Sequence, residues 1–326
     1  MAGAYLYRLL KEEGITSVEL FDVARSNSCG QKPCAWGVAP HSEYKRLVGR
    51  FLDPVAYELD HRDKIAVDGV EMRADMTTVH KPHLVEDLIG GAAVRFDPLD
   101  THDFDRVIDA TGCARAFLGP AEGPEMIAEC AQYRVRSPDD LGLWFRTSGL
   151  GYEWCFPLGG DIFHVGFGNL SDIAKDYRPD ESGAMGQDCR VLCKCMSRIR
   201  VSSPYYSRPF VAGNVVGVGE SIGTVGPLGG DGNLYAMQCA EMLMEHWDDL
   251  DGYATSVLKR YEWMRREREA LEKLLHGKVP VLKDIRVFTG HSKRVGIDIG
   301  PVQALKLFRQ AVETVKERRR AESPSR

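Results

Sequence analysis

Between Val216 and Asn233 the chain reads VGVGESIGTVGPLGGDGN, an apolar strand-like run that delivers Glu220 into a turn and then sets five glycines ahead of a helical pattern. Gly223, Gly226, Gly229, Gly230 and Gly232 leave the backbone bare where side chains would keep a flat ligand away. So many glycines between a buried strand and an apolar helix lose conformational entropy on folding that an idle loop has no need to lose. The helix that follows begins with unpaired N–H groups, which suit a phosphate or the electron-rich edge of a planar ligand. A strand, a glycine turn and a helix in that order constrain the chain to an α/β arrangement.

The opening residues point the same way. Tyr5, Leu6, Leu9 and Leu10 form one helical stripe over 2–13, Gly14 stands where a helix favours a left-handed residue, and 17–23 (SVELFDV) reads as a strand ending near Asp22. In dinucleotide-binding units a GxGxxG turn meets the pyrophosphate and an acid about 20 positions later binds the ribose. Ala2 and Gly3 match the last third of such a turn and Asp22 matches the acid, but the strand and the first two glycines that should precede them are absent. A helix with no strand before it is out of order for a βαβ unit. The chain is therefore expected to begin at an internal start, with one more strand encoded upstream.

Further along, 26–40 is punctuated by Gly, Pro, Cys and Asn and reads as a functional loop, 56–71 as short strand pieces, 82–89 as a brief helix and 106–110 as a buried strand closed by Thr111 and Gly112. Residues 142–170 alternate aromatic and polar side chains, which suits an antiparallel sheet with one wet face. After a strand over 211–218, helical patterns occupy 233–247, the stripe Val257, Leu258, Tyr261 and Met264, and the stripe Leu305, Phe308, Val312 and Val315. At 326 residues and 44% hydrophobic content the chain can bury two interleaved domains.

These segments resemble a family. The strand–Gly–acid pattern followed by Pro227, Gly229, Gly230, Asp231, Gly232 and Asn233 is similar to the second flavin-binding motif of FAD oxidoreductases with the p-hydroxybenzoate hydroxylase-type fold, with Glu220 where the family has Asp. Within that group, Lys32–Gly37 (KPCAWG) is similar to the KPCGxG-like loop of geranylgeranyl reductases, and Tyr152–Pro157 (YEWCFP) with Gly159 and Gly166 is similar to their YxWxFPxG motif. Asp109–Gly112 (DATG) matches the strand-end turn these flavoproteins share near the pyrophosphate, and Lys81 falls where they carry a cofactor-touching Arg. The likeness extends from Ala2 to the helix after Asn233.

The resemblance implies an α/β fold: an FAD-binding Rossmann-like domain of the GR2 type from 1–55, 75–125 and 205–250, an antiparallel β-rich substrate domain from 56–74 and 126–204, and a C-terminal helical region over 251–326. It implies FAD held by Ala2, Gly3, Asp22, Cys34, Ala35, Gly37, Lys81, Gly112, Glu220 and the 227–233 turn. Tyr152, Trp154, Phe156 and Pro157 would line a tunnel for a polyprenyl lipid, and Cys34 would lie nearest the ring as the candidate catalytic residue. The implied reaction saturates C=C bonds of a geranylgeranyl chain with electrons from NAD(P)H or a ferredoxin-type donor. If the given start is genuine, FAD binding should be weakened. The rival readings are a flavin monooxygenase of the same fold and a cofactor-free truncated paralogue that binds lipid.

Bulk properties limit the partners. A formal charge of -5 gives no positive field for a nucleic-acid backbone, and the basic run 316–320 reads as a solvated helix end, with an anionic membrane surface as its alternative partner. Nine irregularly spaced cysteines fit a reducing cytoplasm. Cys189, Cys193 and Cys195 lack the second paired half of a zinc site, and His80, His83 and His164 show no ligand spacing, so no metal is expected. Asp248, Asp249 and Asp251 read as a solvated loop after a helix.

Overall fold

The computed structural model describes the chain except 24–34, 149–150, 171–175, 187, 277, 279–281, 301–302, 304–305 and 307–326, and of 282–285 it describes the backbone only. Cys34, Lys32 and Pro33, the stripe from Leu305 to Val315 and the basic run 316–320 lie outside the described residues. The elements in order are α1 (Ala2–Glu12), β1 (Leu20–Phe21), β2 (Gly37–Val38), α2 (His41–Val48), β3 (Glu58–Val67), β4 (Val70–Val79), α3 (Lys81–Ile89), β5 (Val94–Arg95), β6 (Val107–Asp109) and β7 (Ile127–Arg136). There follow β8 (Trp144–Ser148), β9 (Gly151–Pro157), β10 (Ile162–Asn169), β11 (Arg190–Arg200), β12 (Val211–Ala212), β13 (Val215–Gly217), α4 (Asn233–Glu245), α5 (Leu250–Arg260), α6 (Glu262–Leu275), α7 (Leu282–Arg294) and β14 (Ile297–Asp298).

Two kinds of sheet result. β1 pairs parallel with β5, and β6 pairs parallel with β13, which carries β12 on its other edge. The third sheet has the strand order β11-β7-β10-β9-β8-β3-β4-β14, with β2 also on β4, and its neighbours are antiparallel except β3 with β8. α1 packs against α4 and α3 because its apolar stripe is continuous: Tyr5, Leu6, Leu9 and Leu10 are buried in the core these helices share. Gly14 adopts φ 76° beyond the helix end, the left-handed conformation that only glycine takes without strain.

The expected antiparallel sheet over 142–170 is β8 to β10. The strand expected over 17–23 forms ladder bonds only at Leu20–Phe21, and the pieces over 56–71 are one hairpin of two ten-residue strands, β3 and β4. β4 runs through the boundary drawn at 74/75. The C-terminal region is not separate either: Tyr253, Val257, Tyr261 and Met264 enter the same core as α1 and α4. Their stripe crosses two helices, since Tyr261 breaks the helical path between α5 and α6. β7 and β11 are not legible from alternation, because Glu129 on one face and Gln132 and Arg134 on the other interrupt β7, and a register shift between Val191 and Cys193 breaks the period of β11. Among the described residues no helix is long and apolar enough to cross a membrane.

Candidate functional site

Three of the expected residues follow the carboxyl ends of parallel strands, where open α/β sheets bind their ligands. Asp22 follows β1, the turn Thr111–Gly112 follows β6, and Glu220 follows β13. Asp109 shapes the middle one. Fully buried, its carboxylate accepts from Thr111 N (3.1 Å), Thr111 Oγ1 (2.7 Å), Phe117 N (2.8 Å) and Leu118 N (3.2 Å), so the turn is wound around one side chain. Gly112 has φ 70°, and a Cβ there would lie 3.0 Å from Glu220 Oε2. Glu220 Oε1 accepts from Arg200 N at 2.9 Å. Burial pushes the Glu220 carboxyl above the usual carboxylate range, against the backbone N–H of Arg200 and the positive charge of Lys81. The structure thus brings Gly112 beside Glu220, with the charge of Lys81 acting on the same carboxyl.

Ala2 and Gly3 reach the same place from the other side. A Cβ on Gly3 would touch Ala110 Cβ at 3.1 Å, and one on Gly219 (φ 71°) would stand 2.9 Å from Ala2 Cβ and 3.4 Å from Ala236 Cβ. The first turns of α1 and α4 therefore flank Gly219. No side chain caps either helix, and neither has an acid in its first turn, whereas His80 caps α3 and Asp249 caps α5. Two sets of helix-start N–H donors without a side-chain cap, each at a positive dipole end, meet at one turn.

The glycine turn itself is braced by residues the sequence reading missed. Gly226 N donates to Asp231 O and Gly230 N to Gly226 O, both at 2.8 Å. Cβ atoms on Gly226 and Gly229 would meet Asp231 Oδ1 at 2.3 and 2.6 Å, and the one on Gly229 would also meet His291 Nε2 at 3.1 Å. His291 and Arg294 of α7 hold Glu267 of α6 through Nδ1 at 3.2 Å and Nη2 at 2.5 Å, and Glu267 is wholly buried. Burial raises the Asp231 carboxyl pKa, with the nearby His291 pulling it back. Burial lowers the His291 pKa, but Glu267 and Asp231 more than offset it, so the net shift is upward. The only signal of this knot in the sequence was a glutamate at 267 on the buried side of an otherwise charged helix.

The aromatic strand meets the turn directly. Tyr152 donates its hydroxyl to Gly229 O, and a Cβ on Gly230 (φ 65°) would lie 2.8 Å from that hydroxyl oxygen. Tyr152, Trp154 and Phe156 share one face of β9 with Phe145 of β8. Trp154 lies across Gly166 and Gly168, and Phe156 across Gly37, each glycine leaving room for a ring. Pro157 has the opposite parity, and its carbonyl accepts from Thr78 Oγ1 at 2.6 Å. The four residues expected along one wall therefore do not all face it. Ala35 packs at the edge of the same aromatic layer, and Trp36, which follows it, is buried between the rings of His80 and His164. His164 is 2% exposed, its Nδ1 has no partner, and burial together with Arg134 lowers its pKa to about 3.

Other expectations resolve as structure. Cys193 and Cys195 lie in β11 opposite Arg134 and Gln132, and among the described residues they join no group of three metal-ligating side chains with Cys189. His80 Nδ1 accepts from His83 N as a helix cap. Asp249 likewise caps α5 and Asp251 lies in its first turn, so these two are helix-start residues and not a solvated loop.

No family model matches the chain. An uncharacterized protein of Methanocaldococcus jannaschii is 23% identical over 327 residues, covering 84% of this chain and 87% of its relative. Among solved structures, a geranylgeranyl bacteriochlorophyll reductase-like protein of Thermoplasma acidophilum superposes with a TM-score of 0.68 at 16% identity, over 97% of this chain and 95% of the other. The p-nitrophenol 4-monooxygenase of Pseudomonas putida gives 0.60 at 15% identity, over 96% and 95%. With its split parallel strands, its glycine turn against α4 and its antiparallel sheet above them, the chain has the fold of the geranylgeranyl reductase-like FAD oxidoreductases.

Proposed function

We propose that the chain binds FAD and is an oxidoreductase that saturates C=C bonds in geranylgeranyl lipids, taking electrons from a nicotinamide or a ferredoxin-type protein. The observation that carries this reading is the meeting of two uncapped helix starts, α1 and α4, around Gly219, with Gly112 and Glu220 at the ends of the paired strands β6 and β13 and Asp22 at the end of the parallel strand β1. These groups fit the cofactor. Ala2 and Gly3 offer N–H donors to a pyrophosphate, Asp22 offers a carboxylate to ribose hydroxyls, and the α4 start with Gly229–Asn233 offers donors to the electron-rich edge of the ring. When bound, FAD supplies the hydride.

The protein's own part is positioning and proton supply. An isolated alkene has no carbonyl to polarise, so an apolar wall that fixes the chain matters more than a charged triad. Tyr152, Phe145 and the edge of Phe156 present such a wall, and Tyr152 ties it to Gly229. His291 stands beside the turn as the candidate proton donor, its pKa raised by Glu267 and Asp231 against the opposing effect of burial. Replacing His291 with Gln is expected to lower turnover about 100-fold, in the range of a lost general acid, while FAD still binds. Unchanged turnover would remove His291 from the chemistry.

The reading is tested by purifying the chain, measuring bound flavin, and assaying geranylgeranyl lipids by mass after chemical reduction of the flavin. Products two mass units heavier per bond, with FAD affinity weakened about 10-fold in Asp22→Ala through one lost charge-assisted contact, are expected. Oxygen-dependent hydroxylated product would favour a monooxygenase, and a colourless protein that binds prenyl lipid would favour a binding module. Cys34→Ala with wild-type turnover would take Cys34 out of the mechanism.

A further inference from the structure

A second constellation lies outside this site, on the β3/β4 hairpin. The register pairs Glu58 with Val79, Asp60 with Thr78 and His61 with Thr77, so two residues of β3 oppose one step of β4 between Glu58 and Asp60. That bulge turns Glu58 onto the face that already carries His61, and the same face of β4 carries Asp75, Thr77 and Val79. His41, the first residue of α2, stands over this face. Its Nε2 is 2.7 Å from Glu58 Oε1, its Nδ1 is 4.0 Å from Asp75 Oδ1, and its ring centroid is 4.5 Å from that of His61.

One ligand atom from each of His41, His61 and Asp75 falls within 4.8 Å of the other two. Ligands bound to one ion at about 2.0–2.2 Å sit roughly 3.4 Å apart in a tetrahedron. Closing the remaining gap needs only rotation of His61, which is exposed, and of Asp75, whose side chain is 46% exposed. The backbone of Asp75 is already fixed, because its N–H donates to Gly296 O at 2.8 Å. Two imidazoles and a carboxylate are borderline donors that suit Zn²⁺ and its first-row neighbours, and a solvent-facing side leaves a position for water. The hydrogen bond from His41 to Glu58 has the form of the outer contact of a metal-bound histidine. With Nε2–H donated to a carboxylate, the Nδ1 lone pair is left facing Asp75.

We propose that His41, His61 and Asp75 form a site for a divalent transition-metal ion, with Glu58 orienting His41, and that the ion ties α2 to the β3/β4 hairpin. The site is independent of flavin and of the reaction assigned above. Nothing in the spacing of these residues along the chain announces it, since β3, β4 and α2 bring them together only on folding.

The test uses the full chain after chelator treatment, titrated with Zn²⁺ by calorimetry and with Co²⁺ by absorption. One ion per chain is expected, with visible Co²⁺ bands of nitrogen and oxygen ligation. His61→Ala and Asp75→Asn should each weaken binding at least about 100-fold, and Glu58→Gln about 10-fold, as loss of an outer contact does. His61 and Asp75 are exposed enough that both variants should keep the parent melting temperature without metal, which serves as the folding control. Absence of saturable binding, parental affinity in the His61 and Asp75 variants, or a sulfur-to-cobalt charge-transfer band from Cys189, Cys193 and Cys195 would overturn the proposal.

Discussion

Gly166→Val should destabilise the protein by about 3 kcal/mol or more, the upper end of the cost of forcing extra carbons into a packed core. A Cβ at 166 would lie 2.3 Å from two atoms of the Trp154 indole and 2.6 Å from its Nε1, far inside contact distance. The ring has nowhere to go. Trp154 is 6% exposed and packed with Ile65, Met72, Met76, Cys130 and Phe156, while Gly166 sits in β10 between β7 and β9 with ladder bonds on both sides. The clash is specific to the pair, so Trp154→Leu in the Gly166→Val background should recover part of the loss, although Trp154→Leu alone leaves a cavity and destabilises. Urea unfolding of the two single variants and the double variant measures this coupling. Additive costs would show that Trp154 is not what the glycine accommodates.

Acid should destabilise the fold through His164, and the sign follows from its depressed pKa. The folded group titrates near 3 while the unfolded one titrates near 6.5, so between those values the unfolded chain binds the extra proton. The stabilisation is complete above the unfolded pKa and is lost as pH falls toward the folded one, at about 1.4 kcal/mol per pH unit and about 4–5 kcal/mol in all. His164→Phe keeps a ring against Trp36 and removes the titration. Its unfolding free energy, followed in urea from about pH 7 to about pH 4.5, should fall less steeply than that of the parent by that slope. Glu220 and Asp231 have raised pKa values and contribute with the opposite sign, but they are common to both proteins and cancel in the difference. Parallel pH profiles would mean that His164 is solvated or protonated in the fold.

These two effects come from different depths of legibility. Alternation along YEWCFP put Tyr152, Trp154 and Phe156 on one side before any coordinates, and five glycines ahead of an apolar helix marked the turn that Tyr152 holds. Local pattern also found α1 with its terminal Gly14, and the resemblance singled out Gly112, Lys81 and Glu220 one by one, whereas their proximity emerges only in the fold. What the pattern could not carry is long-range: Glu267, His291 and Arg294 stand in charged helices far along the chain and become a knot only when α6 and α7 pack behind the turn. The break at Tyr261 was hidden because a buried stripe continues across it. β7 was hidden by its polar residues, Glu129, Gln132 and Arg134, which stand on both of its faces.

The separation of β1 and β5 from β6, β13 and β12 has a mechanical side. Among the described residues no shared ladder fixes the distance from Asp22 to Gly112. The two sets of strands are held together by side-chain packing, with Tyr5, Leu6 and Leu9 of α1 in the same core as Val107 and Val215, and such packing yields more readily than a run of backbone bonds. A ligand long enough to touch both strand ends would act as a crossbeam between two half-frames, and its binding energy would add to the fold's resistance to opening in proportion to how fully the site is loaded.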